Sequence, residues 1–342
     1  MKRTLTLATA GAVLALGLAG CGSSGSGGDS AITIMVGGMD KQIYLPAMLT
    51  QRLGYFKQQG LDVTLEDEPA GVQAETALMA GKVEAAVGFY DHTIDLQGKG
   101  KHAESVVQLL QVPGEVEMCR SDLKPTIHSP ADWKKGTKLG VTGLGSSTNF
   151  LTQYLAERNH IPAADVTPVA VKAGNTFIAA MQHRSIECGM TTVPTVTQLL
   201  ATKTAYPIVD MRSAAGTRKT LGGVYPASAL YMRNDYVKAH AATVQKLANA
   251  FVKTMGWIHS HSPAQITAKM PPAYYKGSGK AAYIGALAAE KGIYTPDGVM
   301  PKGGPETVLK VLSAFDPAIK GKKIDLSQTY TTAFATKAGR SG

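Results

Sequence analysis

The chain has 342 residues, 44% of them hydrophobic and 18% charged, with a formal net charge of +10. This composition excludes a disordered or fibrous chain, and the length is enough for two lobes with sizeable cores. The basic residues are scattered, with Lys134-Lys135, Arg218-Lys219 and Lys320-Gly321-Lys322-Lys323 as the densest clusters and no aromatics between them; a solvated basic surface is expected, and no nucleic-acid partner.

The first residues read as an address. Lys2 and Arg3 precede an apolar run, Leu5 to Ala19, that is too short for a comfortable membrane span. The run ends at Leu18-Ala19-Gly20-Cys21, and Gly22 to Gly28 is a Gly/Ser tether. Residues 1–20 are therefore expected to be a signal peptide and 21–30 a tether, leaving about 312 residues to fold.

Ile32 to Val36 alternates as a first strand, and a helix begins near Tyr44-Leu45-Pro46. Its apolar stripe is Leu45, Met48, Leu49, Leu53 and Phe56, closed by Gly60. Asp62 to Leu65 is a second strand, Gly71 to Gly81 a short helix, and Val83 to Val87 a third strand. This βαβαβ rhythm predicts a parallel sheet covered on both faces.

The rhythm repeats. Gly174, Met181, Ile186, Cys188 and Met190 each follow Gly71, Leu78, Val83, Ala85 and Val87 by 103 positions, and Asp62-Val63-Thr64 recurs as Asp165-Val166-Thr167. A shared offset across several elements predicts two similar α/β lobes. Val106 to Val112, Pro113-Gly114 and the strand from Glu115 to Cys119 form one crossing between them, and Gly222 to Ala227 a second. Ser129-Pro130-Ala131-Asp132 is a helix-start signature. A long helix is expected from Asp235 to His259, then amphipathic helices at Lys280 to Ala289, Pro305 to Phe315 and Leu326 to Phe334, giving an all-helical tail.

Leu139 to Val141 is a strand that runs through Gly143-Leu144-Gly145 into Ser146-Ser147-Thr148 and a helix. Hydroxyls and free N–H groups at a helix N-terminus make an anion cradle. Alternatively, Ser146 or Ser147 only caps the helix. Cys119 and Cys188 lie 69 positions apart in apolar strand contexts; the exterior permits a disulfide, but two buried thiols are expected. No Cys/His spacing suggests a metal site.

Tyr44-Leu45-Pro46-Ala47, Leu53 to Val63, Ala77 to Gly88 and Leu139 to Phe150, behind a lipobox-like leader, resemble the nitrate/sulfonate/taurine-binding family of ABC-transporter solute receptors, which also includes thiamine-precursor binders. The resemblance implies a type II periplasmic-binding-protein fold, two α/β lobes joined by two hinge strands with a helical C-terminal tail. Lobe 1 would comprise residues 31–112 and 236–335, and lobe 2 residues 113–235. It also implies lipidation at Cys21, placement in the periplasm or at the cell exterior, and no cofactor. A monomer would pass a small organic or inorganic anion, such as a sulfonate, to an ABC permease and its ATPase. A pyrimidine or other planar aromatic solute is the alternative; an enzyme of pyrimidine synthesis and a sensor subunit stand behind it.

Carried over by position, the ligand-binding residues implied are Gly38, Met39, Asp40, Gln42 and Tyr44 after the first strand, Gly71 and Val72 after the second, and Phe89, Tyr90 and His92 after the third. Ser146, Ser147, Thr148, Thr191 and Thr192 face them from lobe 2, with Gln111, Arg212 and Tyr225 near the hinge. Aromatics in such a mouth stack on planar ligands, whereas Asp40 repels an anion and suits a ligand amine or a helix cap.

Overall fold

A computed structural model describes residues 31–340; the leader, Cys21 and the tether lie outside the described residues. Ten strands form two five-stranded sheets of matching design. β1 (Ala31–Val36), β2 (Asp62–Asp67), β3 (Ala85–Phe89) and β4 (Ala103–Gln108) open the first sheet. β5 (Glu115–Arg120), β6 (Thr137–Val141), β7 (Val166–Ala170), β8 (Cys188–Thr192) and β9 (Ala205–Asp210) make the second, and β10 (Ser228–Arg233) returns to the first. The strand orders are β2-β1-β3-β10-β4 and β7-β6-β8-β5-β9.

In each five-stranded sheet four strands point the same way and one crossing strand, β10 or β5, runs antiparallel to its two neighbours. β3 and β8 begin 103 residues apart, at Ala85 and Cys188, and every residue of both is buried, as helix-covered central strands require. β10 lies within the range expected for lobe 2, residues 113–235, yet pairs with β3 and β4 of the first sheet.

Several expected elements change on folding. Gly54 is left-handed (φ 73°) and splits the first stripe into helices Leu45–Arg52 and Tyr55–Gln58. Ser129 and Asp132 form a reciprocal capping box, but Trp133 turns extended and only a 3-10 turn, Pro130–Asp132, results. His240 breaks the long C-terminal helix into Asn234–Ala239 and Ala241–Ser260. Leu326–Gln328 is a single turn and Ala333–Gly339 a helix; between them Ser105 N donates to Thr329 O and Thr331 N to Ser105 O, so the tail covers the edge of β4 as well as adding helices.

Cys119 and Cys188 stand directly opposite in β5 and β8 and form a disulfide, not two thiols. Their strand contexts gave burial correctly, and both are fully buried. Pairing was set by register between strands far apart in sequence, which a single strand's pattern does not carry.

Candidate functional site

The lobes meet through hydrogen bonds made at the ends of strands. After β6, Gly145 (φ 82°) turns the chain into helix Ser147–Arg158, with Ser146 extended at its N-cap. Neither serine caps that helix through its side chain. Ser146 Oγ instead accepts from Val72 N at 3.4 Å, and Ser147 Oγ donates to Asp91 Oδ1 at 2.7 Å. Tyr225, in the second crossing, donates to Asp91 Oδ2 at 2.8 Å. A third bridge runs from Gln42 N to Val193 O at 3.0 Å. The positive end of the helix thus receives a carboxylate from the protein itself.

These contacts surround a cavity of about 10 Å³, room for a single water molecule. Its wall combines the expected Tyr44, Gly71, Ser146, Ser147, Thr148 and Thr192 with Lys41, Ile43, Glu115 and Thr142, which sequence reasoning missed. Thr148 Oγ1 accepts from Thr142 N at 3.0 Å and lies 2.9 Å from Thr142 Oγ1, holding the loop closed on itself.

Two buried acids stand at this site. Glu115 and Asp91 are 2% and 0% exposed. Burial pushes the Glu115 carboxyl far up, and Asp91 adds to the rise while Lys41 opposes it. Asp91 is also raised by burial, against the pull of His92 and the Ser147 and Tyr225 hydroxyls. Lys41 is the buried cation; burial lowers it to about 8 despite Asp40, Glu115 and Asp67. Its Nζ donates to Gly37 O at 2.6 Å and Pro69 O at 3.0 Å, tying together the loops after β1 and β2. Glu115 Oε2 and Thr192 Oγ1 are buried without a hydrogen-bond partner, and the two residues face each other in the β5–β8 register.

The remaining expected residues lie further out. Gly38 and Asp40 line the outer mouth with Asp67 and Lys172, and Met39 N donates to Asp67 Oδ1. Gln42 Nε2 donates to Tyr283 O at 3.0 Å, while its Oε1 has no partner. Phe89 packs edge-on against Tyr44, and Tyr90 turns away to Thr329 in the tail. His92 is buried behind Gly71, its Nδ1 2.7 Å from Glu75 Oε2. Burial opposes a charged imidazole, but Glu75, Asp91 and Asp95 together raise its pKa. Thr191 is buried with its hydroxyl unpartnered but does not line the cavity. Gln111 Nε2 donates to Gly292 O in the first crossing. Arg212 is clamped on Asp210, with Nη2 2.6 Å from Oδ2, outside the cavity wall.

A charged pair inside an otherwise apolar strand, Glu115-Val116-Glu117-Met118, was the available signal for Glu115; Lys41 carried none beyond its place after β1. Among the described residues no cluster of three His, Cys, Asp or Glu side chains is arranged to hold a metal, and no helix is long and apolar enough to cross a membrane.

A protein of known structure from Bordetella bronchiseptica RB50 is 32% identical and superposes with a TM-score of 0.87 over 91% of this chain and 98% of its own. The alkanesulfonate-binding protein SsuA from Xanthomonas axonopodis pv. citri, solved bound to MOPS, is 16% identical, with a TM-score of 0.71 over 89% of this chain and 98% of its own, a likeness of fold. The 4-amino-5-hydroxymethyl-2-methylpyrimidine phosphate synthase THI11 of Saccharomyces cerevisiae is 31% identical over 115 residues, 33% of this chain; the match spans about a third (32%) of the synthase. The two sheets with their crossing strands are therefore the fold of periplasmic binding proteins, as the resemblance implied. The family model described as NMT1/THI5 like matches residues 43–265, well over half of the chain, and the chain belongs to that family.

Proposed function

We propose that this chain is an extracytoplasmic solute receptor of an ABC importer, lipid-anchored through Cys21, that closes two lobes on its ligand and delivers it to a permease. The observation that carries this reading is the set of bonds across the lobes, Ser147 to Asp91, Val72 to Ser146 and Gln42 to Val193, around a small cavity. The cavity is far smaller than an organic solute, so a ligand enters by opening and exchanges its own contacts for some of these bonds. The first lobe would comprise residues 31–112 and 228–335, and the second 113–227.

The chemistry of the wall favours the planar alternative over the sulfonate. An oxyanion at the Ser146-Ser147 turn would have to displace Asp91, which already takes the Ser147 hydroxyl, and Lys41 is the one buried cation in the wall. A planar heterocycle bearing an amino group would donate to the unpartnered Glu115 Oε2 and accept from Thr192 Oγ1, relieving two buried orphans at once. Tyr44 and Ile43 would contribute the apolar face.

An enzymatic reading has weaker support. The yeast relatives named as synthases match over 33% of this chain. Ser147 is bonded to a carboxylate and not to a histidine, and His92 faces Glu75 behind Gly71. A thermal-shift and calorimetric panel of aminopyrimidines, alkylsulfonates and nitrate tests the proposal. An aminopyrimidine that raises the melting point and binds stoichiometrically supports it. Preferential stabilisation by sulfonates would overturn the ligand class, and turnover of a bound compound would overturn the receptor reading.

A further inference from the structure

Beside the hinge, a buried carboxyl group stands without a hydrogen-bond partner. Glu290 ends helix Lys280–Glu290 in the C-terminal region, is 1% exposed, and neither of its carboxyl oxygens accepts a hydrogen bond. The turn that follows is fixed to the first crossing, where Gln111 N donates to Ile293 O and Thr295 N to Leu109 O. Across from Glu290, at the end of β9 in the second lobe, is Arg212, whose Nε lies 3.8 Å from Glu290 Oε1. The guanidinium is engaged elsewhere: Nε and Nη2 donate to both oxygens of Asp210 within its own lobe.

We propose that Arg212 is a two-position latch, exchanging Asp210 for Glu290 when Glu290 loses its proton and thereby tying the C-terminal region to the second lobe. The relative strengths of the two pairs support the exchange. Asp210 is 42% exposed on its side chain and Arg212 24%, so their pair is shared with solvent and contributes little. An ionised Glu290 without a partner would be a buried, uncompensated charge, which is far more costly. Arg212 needs only a small rotation to convert a 3.8 Å approach into a hydrogen bond.

The groups that face Glu290 are Arg212 and Asp210 from the second lobe, and the buried Tyr283 and Tyr294 from its own region. Lys291 is adjacent in sequence but directs its Nζ to His259 O and His261 O. Burial raises Glu290 to about 8, opposed by Arg212 and reinforced by Asp210, so the exchange falls at neutral to mildly alkaline pH. The latch rests on the two-lobed geometry and not on any ligand, so its test is separate from the binding panel.

The test is a pH titration of the full chain without ligand, following the Arg212 Nε resonance by nitrogen-15 NMR and interlobe closure by small-angle scattering. The wild-type resonance and the compact fraction should change together with a midpoint near 8. Glu290→Gln should abolish both changes and leave Arg212 in its Asp210-bound state at every pH. Asp210→Asn should move the midpoint to lower pH. An unaltered titration in Glu290→Gln overturns the proposal. Should that variant fail to fold, Arg212→Gln serves instead: the Glu290 carboxyl carbon must then titrate at higher pH than in wild type, and an unchanged midpoint overturns the latch.

Discussion

Ser147→Ala removes one oxygen and one interlobe bond. The hydroxyl donates to Asp91 Oδ1 at 2.7 Å, with Ser147 5% exposed and Asp91 fully buried. A hydrogen bond to a charged partner contributes about 1.5–3 kcal/mol, and one to a neutral carboxyl about half of that. Asp91 keeps its bond from Tyr225, so the carboxyl is not orphaned by the change. The lost bond exists only while the lobes are together, so its energy falls on closure and not on either lobe's own folding. The closed-to-open ratio without ligand should drop by roughly 4- to 160-fold. Small-angle scattering or a fluorescent pair across the lobes reads that ratio directly. Thr148→Ala is the contrast, because its hydroxyl bonds Thr142 within one loop; it should lower the melting temperature with little change in closure. Equal closure in wild type and Ser147→Ala, with both folded, would refute the reasoning.

Three further outcomes are expected. Glu115 has its folded-state pKa raised, so the stabilisation linked to its proton is complete below the unfolded carboxylate value near 4.5 and is lost as pH rises toward the folded value; Glu115→Gln should flatten the fall in melting temperature with rising pH measured by calorimetry. Cys188→Ala opens a link between residues 69 positions apart and should cost about 2–4 kcal/mol in denaturant unfolding, with wild-type protein under reductant moving to the same midpoint once unfolded. Gly37→Ala would set its Cβ 2.8 Å from Gly71 Cα, where backbone meets backbone beneath the cavity; a loss of about 1–3 kcal/mol is expected, with weaker ligand binding.

The serine turn shows how far local reading reached. A strand running into Gly-Leu-Gly and then Ser-Ser-Thr was legible as a helix start pointing out of a sheet, and Ser146, Ser147 and Thr148 do line the small cavity between the lobes. The expectation that the turn cradles an external anion missed Asp91, which sits 56 positions earlier and reaches the turn only when the lobes meet. Glu115 and Lys41 were overlooked for the same reason. A charge in sequence carries no label saying that water is excluded around it, and their shifted pKa values come from burial before any other cause. His92 and Arg212 were read as mouth or hinge residues, but each has a partner nearby, Glu75 and Asp210, that turns it from the cavity.

What the sequence determined alone was periodic: strands of apolar and small residues, amphipathic helices, and one design written twice at an offset of 103 from Val87 to Met190. Those are properties of neighbouring residues, and side-chain alternation fixes them before any tertiary contact forms. The tertiary structure decided which charges meet. Cys119 found Cys188 through the β5–β8 register, Ser147 found Asp91 across the lobes, and Glu290 came to rest beside Arg212 at the hinge. Each of these pairs joins segments whose relative position depends on the two crossings as a whole, and no local pattern encodes that geometry.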